Sequence, residues 1–214
     1  PLGALKGGVD VSDHPIIIEV TVPGNYVMLQ TTVNNVTTGT TNVSGLADLE
    51  KNGRITTITV SDSAANLTGA LQALGSDARV KSILVADAKT LSLSYGDFKA
   101  DTAALAKMND YNLAISDVRL ANISVEKNTH VSAISVSDTA ARLTSAQLSL
   151  LGVDKKVSSI SITDGKPLVL TKTQYSLVGA ALAKMTGDYA ITVNAATVSS
   201  MATLDADSHV TAVT

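Results

Sequence analysis

Two stretches of the chain carry the same order of apolar and polar positions. Val131 to Leu143 reads V-S-A-I-S-V-S-D-T-A-A-R-L, and Ile55 to Leu67 reads I-T-T-I-T-V-S-D-S-A-A-N-L. Asp138 minus Asp62 gives a period of 76 residues. Strict alternation predicts a strand with one buried face, so Ile58 and Val60 point one way and Thr57 and Thr59 the other. Ser61-Asp62 then offers an N-cap side chain to a following helix. A fixed internal period constrains the architecture before any single element does.

Within the first unit, about 55–130, Leu67, Leu71 and Leu74 fall at helical spacing, and Gly75 is placed to cap that helix. Val80 to Val85 predicts a second strand, closed by Asp87. The apolar pair Leu91 and Leu93 leads into a second helix from about Tyr95 to Met108, with Phe98, Leu105 and Met108 on its face. Tyr111, Leu113 and Ile115 predict a third strand, and a short helical turn leads to His130. The second unit, 131–214, repeats the pattern. Ile160 and Ile162 match Ile83 and Val85, Asp164 matches Asp87, and Leu168 and Leu170 match Leu91 and Leu93. Leu182 to Met185 match Leu105 to Met108, Asp188-Tyr189 match Asp110-Tyr111, and His209 matches His130, as the offset drifts from 76 to 79.

Residues 1–54 are less regular. Val9 to Asp13 echo the V-S-D of the repeat, Ile16 to Val22 predict a strand, Pro23-Gly24-Asn25 a turn, and Tyr26 to Leu29 a second strand. Thr31 to Thr41 read as a loop. Glu50-Lys51-Asn52 match Glu126-Lys127-Asn128, so this segment is expected to hold a partial repeat that caps the array. Pro1-Leu2-Gly3, with no Met, reads as the remnant of a cleaved tag on a piece of a longer protein.

Strands begin near 55, 80, 111, 131, 157 and 189, each gap long enough for one helix. Strand, crossover helix and strand, repeated, make a parallel sheet. The expected fold is α/β: a solenoid of stacked β-α repeats of leucine-rich-repeat-like construction, with an irregular N-terminal β cap. Its expected divisions are 1–54, 55–130 and 131–214. A doubly wound α/β domain is the alternative. Its strands, covered on both faces, would be near-continuously apolar, whereas these alternate.

Composition narrows the function. Hydrophobic residues make up 45% of the chain but aromatics only 3%, so the core must be built from Ile, Leu, Val and Ala. A net charge of -3 without a basic stripe excludes a nucleic-acid surface. No apolar run approaches membrane-spanning length, so membrane insertion is not expected. The absence of Cys excludes disulfides and thiolate chemistry.

Asp62, Asp138, Asp87 and Asp164 close strands at equivalent places. A row of carboxylates could bind Ca²⁺, but Ser-Asp-Ser/Thr-Ala-Ala is also what a strand-to-helix junction needs. Neither an EF-hand loop nor a glycine-rich calcium nonapeptide is present. His130 and His209 precede strands without metal-ligand spacing, which points to a role in a turn. There is no nucleophile elbow, P-loop or dinucleotide fingerprint. No catalytic residue, metal ligand or cofactor is expected. The binding candidates are the outward hydroxyls Thr57, Thr59, Ser82, Ser135, Ser159, Ser161 and Thr192, beside Leu84, Asn112, Ala114, Ala133 and Ala190. They would form a hydroxyl-rich sheet face for a glycan or a host or cell-surface protein, or for self-association.

Val131 to Leu143, Ser159 to Asp164 (S-I-S-I-T-D) and Leu170 to Met185 (L-T-K-T-Q-Y to A-L-A-K-M) resemble tandem repeats of very large secreted bacterial proteins, both RTX-type and adhesin-like. The resemblance covers about residues 55–214. It implies a secreted or cell-surface location and a non-enzymatic role, in adhesion or as a stalk. The calcium nonapeptides of that setting are missing here, so calcium binding does not carry over. The alternative is part of a secreted enzyme or toxin with its site in residues 1–54, the only unduplicated segment.

Overall fold

The computed structural model describes the backbone of residues 16–22, 25–32, 35–53 and 55–214, and side chains from residue 38 onward except at 54. The Val9 to Asp13 echo, Pro1 to Gly3 and the Pro23-Gly24 turn lie outside the described residues.

The chain begins with β1 (Ile16–Val22), β2 (Asn25–Thr32) and β3 (Asn35–Thr41). β1 pairs antiparallel with β2, the expected hairpin, and β2 pairs antiparallel with β3. The Thr31 to Thr41 stretch, expected as a loop, thus ends β2 and forms β3. Threonine favours the extended backbone, and here ladder pairing outweighs the loop-like composition. α1 (Leu46–Glu50), β4 (Thr57–Asp62), α2 (Ala64–Thr68), α3 (Leu71–Ser76) and β5 (Val80–Val85) follow.

The single helix expected across Leu67 to Leu74 is two short ones, broken at Gly69-Ala70. Ser63, not Ser61-Asp62, is the N-cap of α2, accepting from Asn66 N–H. Gly75 sits inside α3 rather than capping it. A Cβ there would stand 2.9 Å from Ala104 N, so glycine permits the close approach of two helices.

β6 (Leu91–Ser94), α4 (Tyr95–Ala100), α5 (Thr102–Leu105), β7 (Leu113–Val118), a 3₁₀ turn (Leu120–Lys127) and β8 (Val131–Asp138) come next. The apolar pair Leu91 and Leu93 is therefore a strand, and the helix expected over Tyr95 to Met108 is two. After β8, residues 140–143 make a turn and bend where the matched segment forms α2. The chain then continues through α6 (Ser145–Val153), β9 (Val157–Ile162), β10 (Leu168–Thr171), α7 (Lys172–Leu177), α8 (Gly179–Leu182), β11 (Ile191–Asn194), α9 (Met201–Asp205) and β12 (Val210–Val213).

The fold is α/β with three sheets, ordered β1-β2-β3-β4-β5, β6-β7-β8-β9 and β10-β11-β12. All pairings from β3 onward are parallel. Two compact units result, one of residues 1–89 with 100–111, the other of 90–99 with 112–214. In the first, Ile58, Val60, Leu67, Leu71, Leu74, Val80 and Ile83 are at most 1% exposed. In the second, Leu91, Leu113, Ile115, Ile134, Leu148 and Ile160 are equally buried. The core is aliphatic, as the composition requires. No helix among the described residues is long and apolar enough to cross a membrane.

Candidate functional site

The alternation that buries Leu91, Leu93, Leu113 and Ile115 turns Ser92, Ser94, Ala114 and Ser116 to the other face of the β6–β9 sheet. The register aligns Ser92 with Ala114 and Ala114 with Ala133 across three strands, and Ser94 with Ser116. These small side chains leave a groove of about 280 Å³, lined also by Ser135 and Ser158. Ser92, Ser116 and Ser158 are exposed, while Ala114, Ala133 and Ser135 are half-buried.

Hydroxyls at one flank of the groove are ordered. Ser159 Oγ donates to Ser135 Oγ at 2.9 Å, and Ser158 Oγ donates to Ile134 O at 2.9 Å. Ser137 and Ser161 share a hydrogen bond of 2.7 Å between hydroxyls. At the other end, Ser94 Oγ caps α4, accepting from Asp97 N–H at 3.0 Å and donating to Asp97 Oδ2 at 2.7 Å. Such a surface presents donors and acceptors with almost no charge.

The seven hydroxyl residues singled out in the sequence are all half-buried, but they do not share one sheet. Thr57, Thr59 and Ser82 lie on β4 and β5, where Thr59 pairs with Ser82. Ser135, Ser159 and Ser161 lie on β8 and β9, where Ser135 pairs with Ser159. Thr192 stands on β11, between Val169 and Ala212. Of the seven, Ser135 lines the groove. Ser92, Ser94 and Ser116 escape the sequence reading because Leu91-Ser92-Leu93-Ser94 reads there as the approach to a helix; its alternation is the signal.

The strand-closing aspartates are occupied by the chain itself. Asp62 accepts from Val43 N–H (3.0 Å), Ser63 N–H (2.7 Å) and Asn66 Nδ2 (2.8 Å). Asp138, 3% exposed, accepts from Leu120 N–H (3.0 Å) and Thr139 N–H (2.9 Å). Asp87 and Asp164 each accept, at 3.1 Å, from a matched amide, that of Ala64 or Ala140. These amides hold the Asp87 and Asp164 carboxyls below the usual range. At Asp62 burial pulls the carboxyl upward, but the donated hydrogen bonds outweigh it and the net direction is down. Among the described residues no three His, Asp or Glu side chains are grouped to hold a metal ion.

His130 and His209 stand in turns. His130 N–H donates to Asn128 Oδ1 at 2.9 Å and His209 N–H to Asp207 Oδ1 at 3.0 Å, as Arg79 does to Asp77 and Lys156 to Asp154. The recurring Asx-x-basic sequence before a strand is an Asx turn, a signal the sequence reading did not use. His209 has a further environment. Its Nδ1 lies 3.0 Å from Asp207 Oδ1, and its ring stacks on Tyr189 with centroids 4.0 Å apart.

Two lysines inside the repeated A-L-A-K-M also find matched partners. Lys107 Nζ donates to Leu74 O, Gly75 O and Asp77 O, and Lys184 Nζ to Leu151 O and Asp154 O. Each closes the carbonyl end of a helix. Burial lowers Lys107 from the ordinary lysine value.

No protein-family model, no curated protein and no solved structure matches the chain.

Proposed function

We propose that the chain is a non-enzymatic repeat module of a secreted or cell-surface bacterial protein, and that the serine-lined groove on the β6–β9 sheet is an adhesive surface. Its ligand is a glycan or a hydroxyl-rich surface of a partner. The groove is the observation that carries this reading. It is concave, built on rigid strands, lined by Ser92, Ser94, Ser116, Ser135 and Ser158 with alanines between them, and nearly uncharged. Alternating hydroxyl and methyl groups match the polar and apolar patches of a sugar ring.

The finer fold assignment belongs with this proposal. Sequence-matched residues make the same internal bonds at Asp62 and Asp138, at Asp87 and Asp164, and at Lys107 and Lys184. This supports an α/β solenoid of stacked repeats in which the β1-β2 hairpin, at the side of β3 away from β4, caps the N-terminal end. The resemblance to repeats of RTX-type and adhesin-like proteins agrees with it.

The test is binding of the labelled protein to a glycan array and to whole cells, beside a Ser92→Lys, Ser135→Lys variant shown by circular dichroism to be folded. Binding by the wild type that the variant loses is the expected result. Equal binding by both would place adhesion elsewhere.

A further inference from the structure

We propose that the groove between the turn at 140–145 and the segment 166–174 is a binding site for an aliphatic carboxylate, a free acid with a short hydrocarbon tail. The groove encloses about 510 Å³, inside the range of roughly 300–1,000 Å³ typical of small-molecule sites. Ala140, Ala141, Leu143, Pro167 and Val169 give it an aliphatic wall. Thr144, Lys166 and Gln174 supply polar groups. The groove lies within one compact unit and shares no lining residue with the serine groove. This inference goes beyond the adhesive reading and does not depend on it.

The matched positions of the sequence show what sets this groove apart. Lys89 matches Lys166, and its Nζ lies 3.8 Å from Asp87 Oδ2. Lys166 forms no such ion pair among the described residues, and Asp164 Oδ1 is engaged by the backbone amides of Ala140 and Lys166 at 3.1 and 3.4 Å. Asp97 stands at the position of Gln174, Ser92 at that of Val169 and Thr90 at that of Pro167. An acid has given way to an amide, and two hydroxyls to hydrocarbon. Residues 140–143 make a turn and bend where 64–68 form α2, and Ala141 is exposed. Val169, although on a strand, is 61% exposed.

The polar groups are donors. Gln174 Oε1 accepts from Thr171 N–H at 2.8 Å, so the amide nitrogen of Gln174 is the end left to donate. Thr144 Oγ1 accepts from Gln147 N–H at 3.4 Å and keeps its own proton to give. With the Lys166 ammonium, these donors complement a group that is negative and accepts several hydrogen bonds, as a carboxylate does. The described lining includes no carboxylate to repel it and no aromatic ring to stack on a flat acid. A hydrocarbon tail instead covers Ala141, Pro167 and Val169 and takes their apolar surface out of water.

The test is titration of the whole chain with hexanoate, followed by methyl NMR at Ala141 and Val169, beside hexylammonium and acetate. Hexylammonium has a tail of the same length and the opposite charge; acetate has the same head and no tail. Hexanoate should shift both methyls saturably, and the other two should bind more weakly. Lys166 is exposed, so its variants keep the fold, which circular dichroism checks. Lys166→Gln should weaken hexanoate roughly fivefold, and Lys166→Arg should preserve binding. No saturable shift with hexanoate, equal binding of hexylammonium, or unchanged binding by Lys166→Gln overturns the proposal. Shifts caused by an acetylated Ala-Leu dipeptide with a free carboxylate, and none by hexanoate, would give the groove to a peptide end and overturn it as well.

Discussion

Tyr175 donates its hydroxyl to Asp207 Oδ2 across 2.6 Å, and Asp207 in turn accepts from both the backbone and ring of His209. At the matched positions of the sequence stand Phe98 and Asn128, and Phe98 has no hydroxyl to donate, so the same hydrogen bond is not made there. The Tyr175 hydrogen bond is the largest influence holding the Asp207 carboxyl low, with burial opposing it. Burial, then the hydrogen bond to Asp207, pushes the Tyr175 phenol up to about 12. A phenol raised above its unfolded value of about 10 adds stability that is complete below that pH and lost as pH rises through about 12. Asp207, lowered, adds stability present above about pH 4 and lost as pH falls through its folded value. Tyr175→Phe should cost about 1 kcal/mol at pH 7 in urea unfolding. It should also remove the highest-pH step from the ultraviolet titration of tyrosinate; a variant that keeps that step would place the raised phenol at another tyrosine.

Two glycines separate close packing from mere flexibility. A Cβ on Gly152 would stand 2.8 Å from Ala181 N, whereas one on Gly179 meets nothing within 4 Å. Gly152→Ala should destabilise by about 1–3 kcal/mol, because backbone must move to admit the methyl. Gly179→Ala, in the short helix α8, should be neutral or stabilising by up to about 1 kcal/mol. Thermal melts should show a clear loss for Gly152→Ala and none for Gly179→Ala; a comparable loss in both would remove the packing argument.

Asp138 shows how much of the architecture was readable. The period of 76, the strand positions and the aliphatic core all follow from local alternation, and a strand-closing Asp was visible at each copy. Its actual partners were not. Leu120 N–H lies 18 residues away in the chain, and Val43 N–H lies 19 residues from Asp62, so only the folded crossovers bring them together. The same holds for the groove: Ser135 was legible on its strand, but its alignment with Ser92 needed a register that no local pattern specifies. Asp138→Ala should cost about 2 kcal/mol by stranding two amides. Denaturation that leaves the midpoint unchanged would show these hydrogen bonds to be replaceable by water.

Glu50 and Asp77 form a carboxyl pair beside Arg79, whose guanidinium lies 3.4 Å from Glu50 Oε1 and 3.9 Å from Asp77 Oδ1. Asp77 Oδ2 is buried without a donor. Hydrogen bonding to Asp77, with burial, raises the Glu50 carboxyl. Glu126 is raised in the same way beside Asp154. A raised carboxyl adds stability below its unfolded pKa of about 4.3 that is lost as pH rises through the folded value. Glu50→Gln supplies the proton-bearing donor at every pH. It should raise the melting temperature at pH 7 and leave it little changed at pH 4. A variant less stable at pH 7 would show that the Arg79 ion pair outweighs the relief of carboxyl repulsion.

The most direct measurement is thermal unfolding of a fragment of residues 1–130 beside the full chain. β7 loses its partner β8 in that fragment, and Leu113, Ile115 and Val118, all at most 1% exposed, lose the strand paired against them. If matched units support one another, the fragment melts well below the full chain, and the β7 amides exchange rapidly. A fragment that melts at the temperature of the full chain, with β7 still protected, would contradict the proposed stacking of repeats.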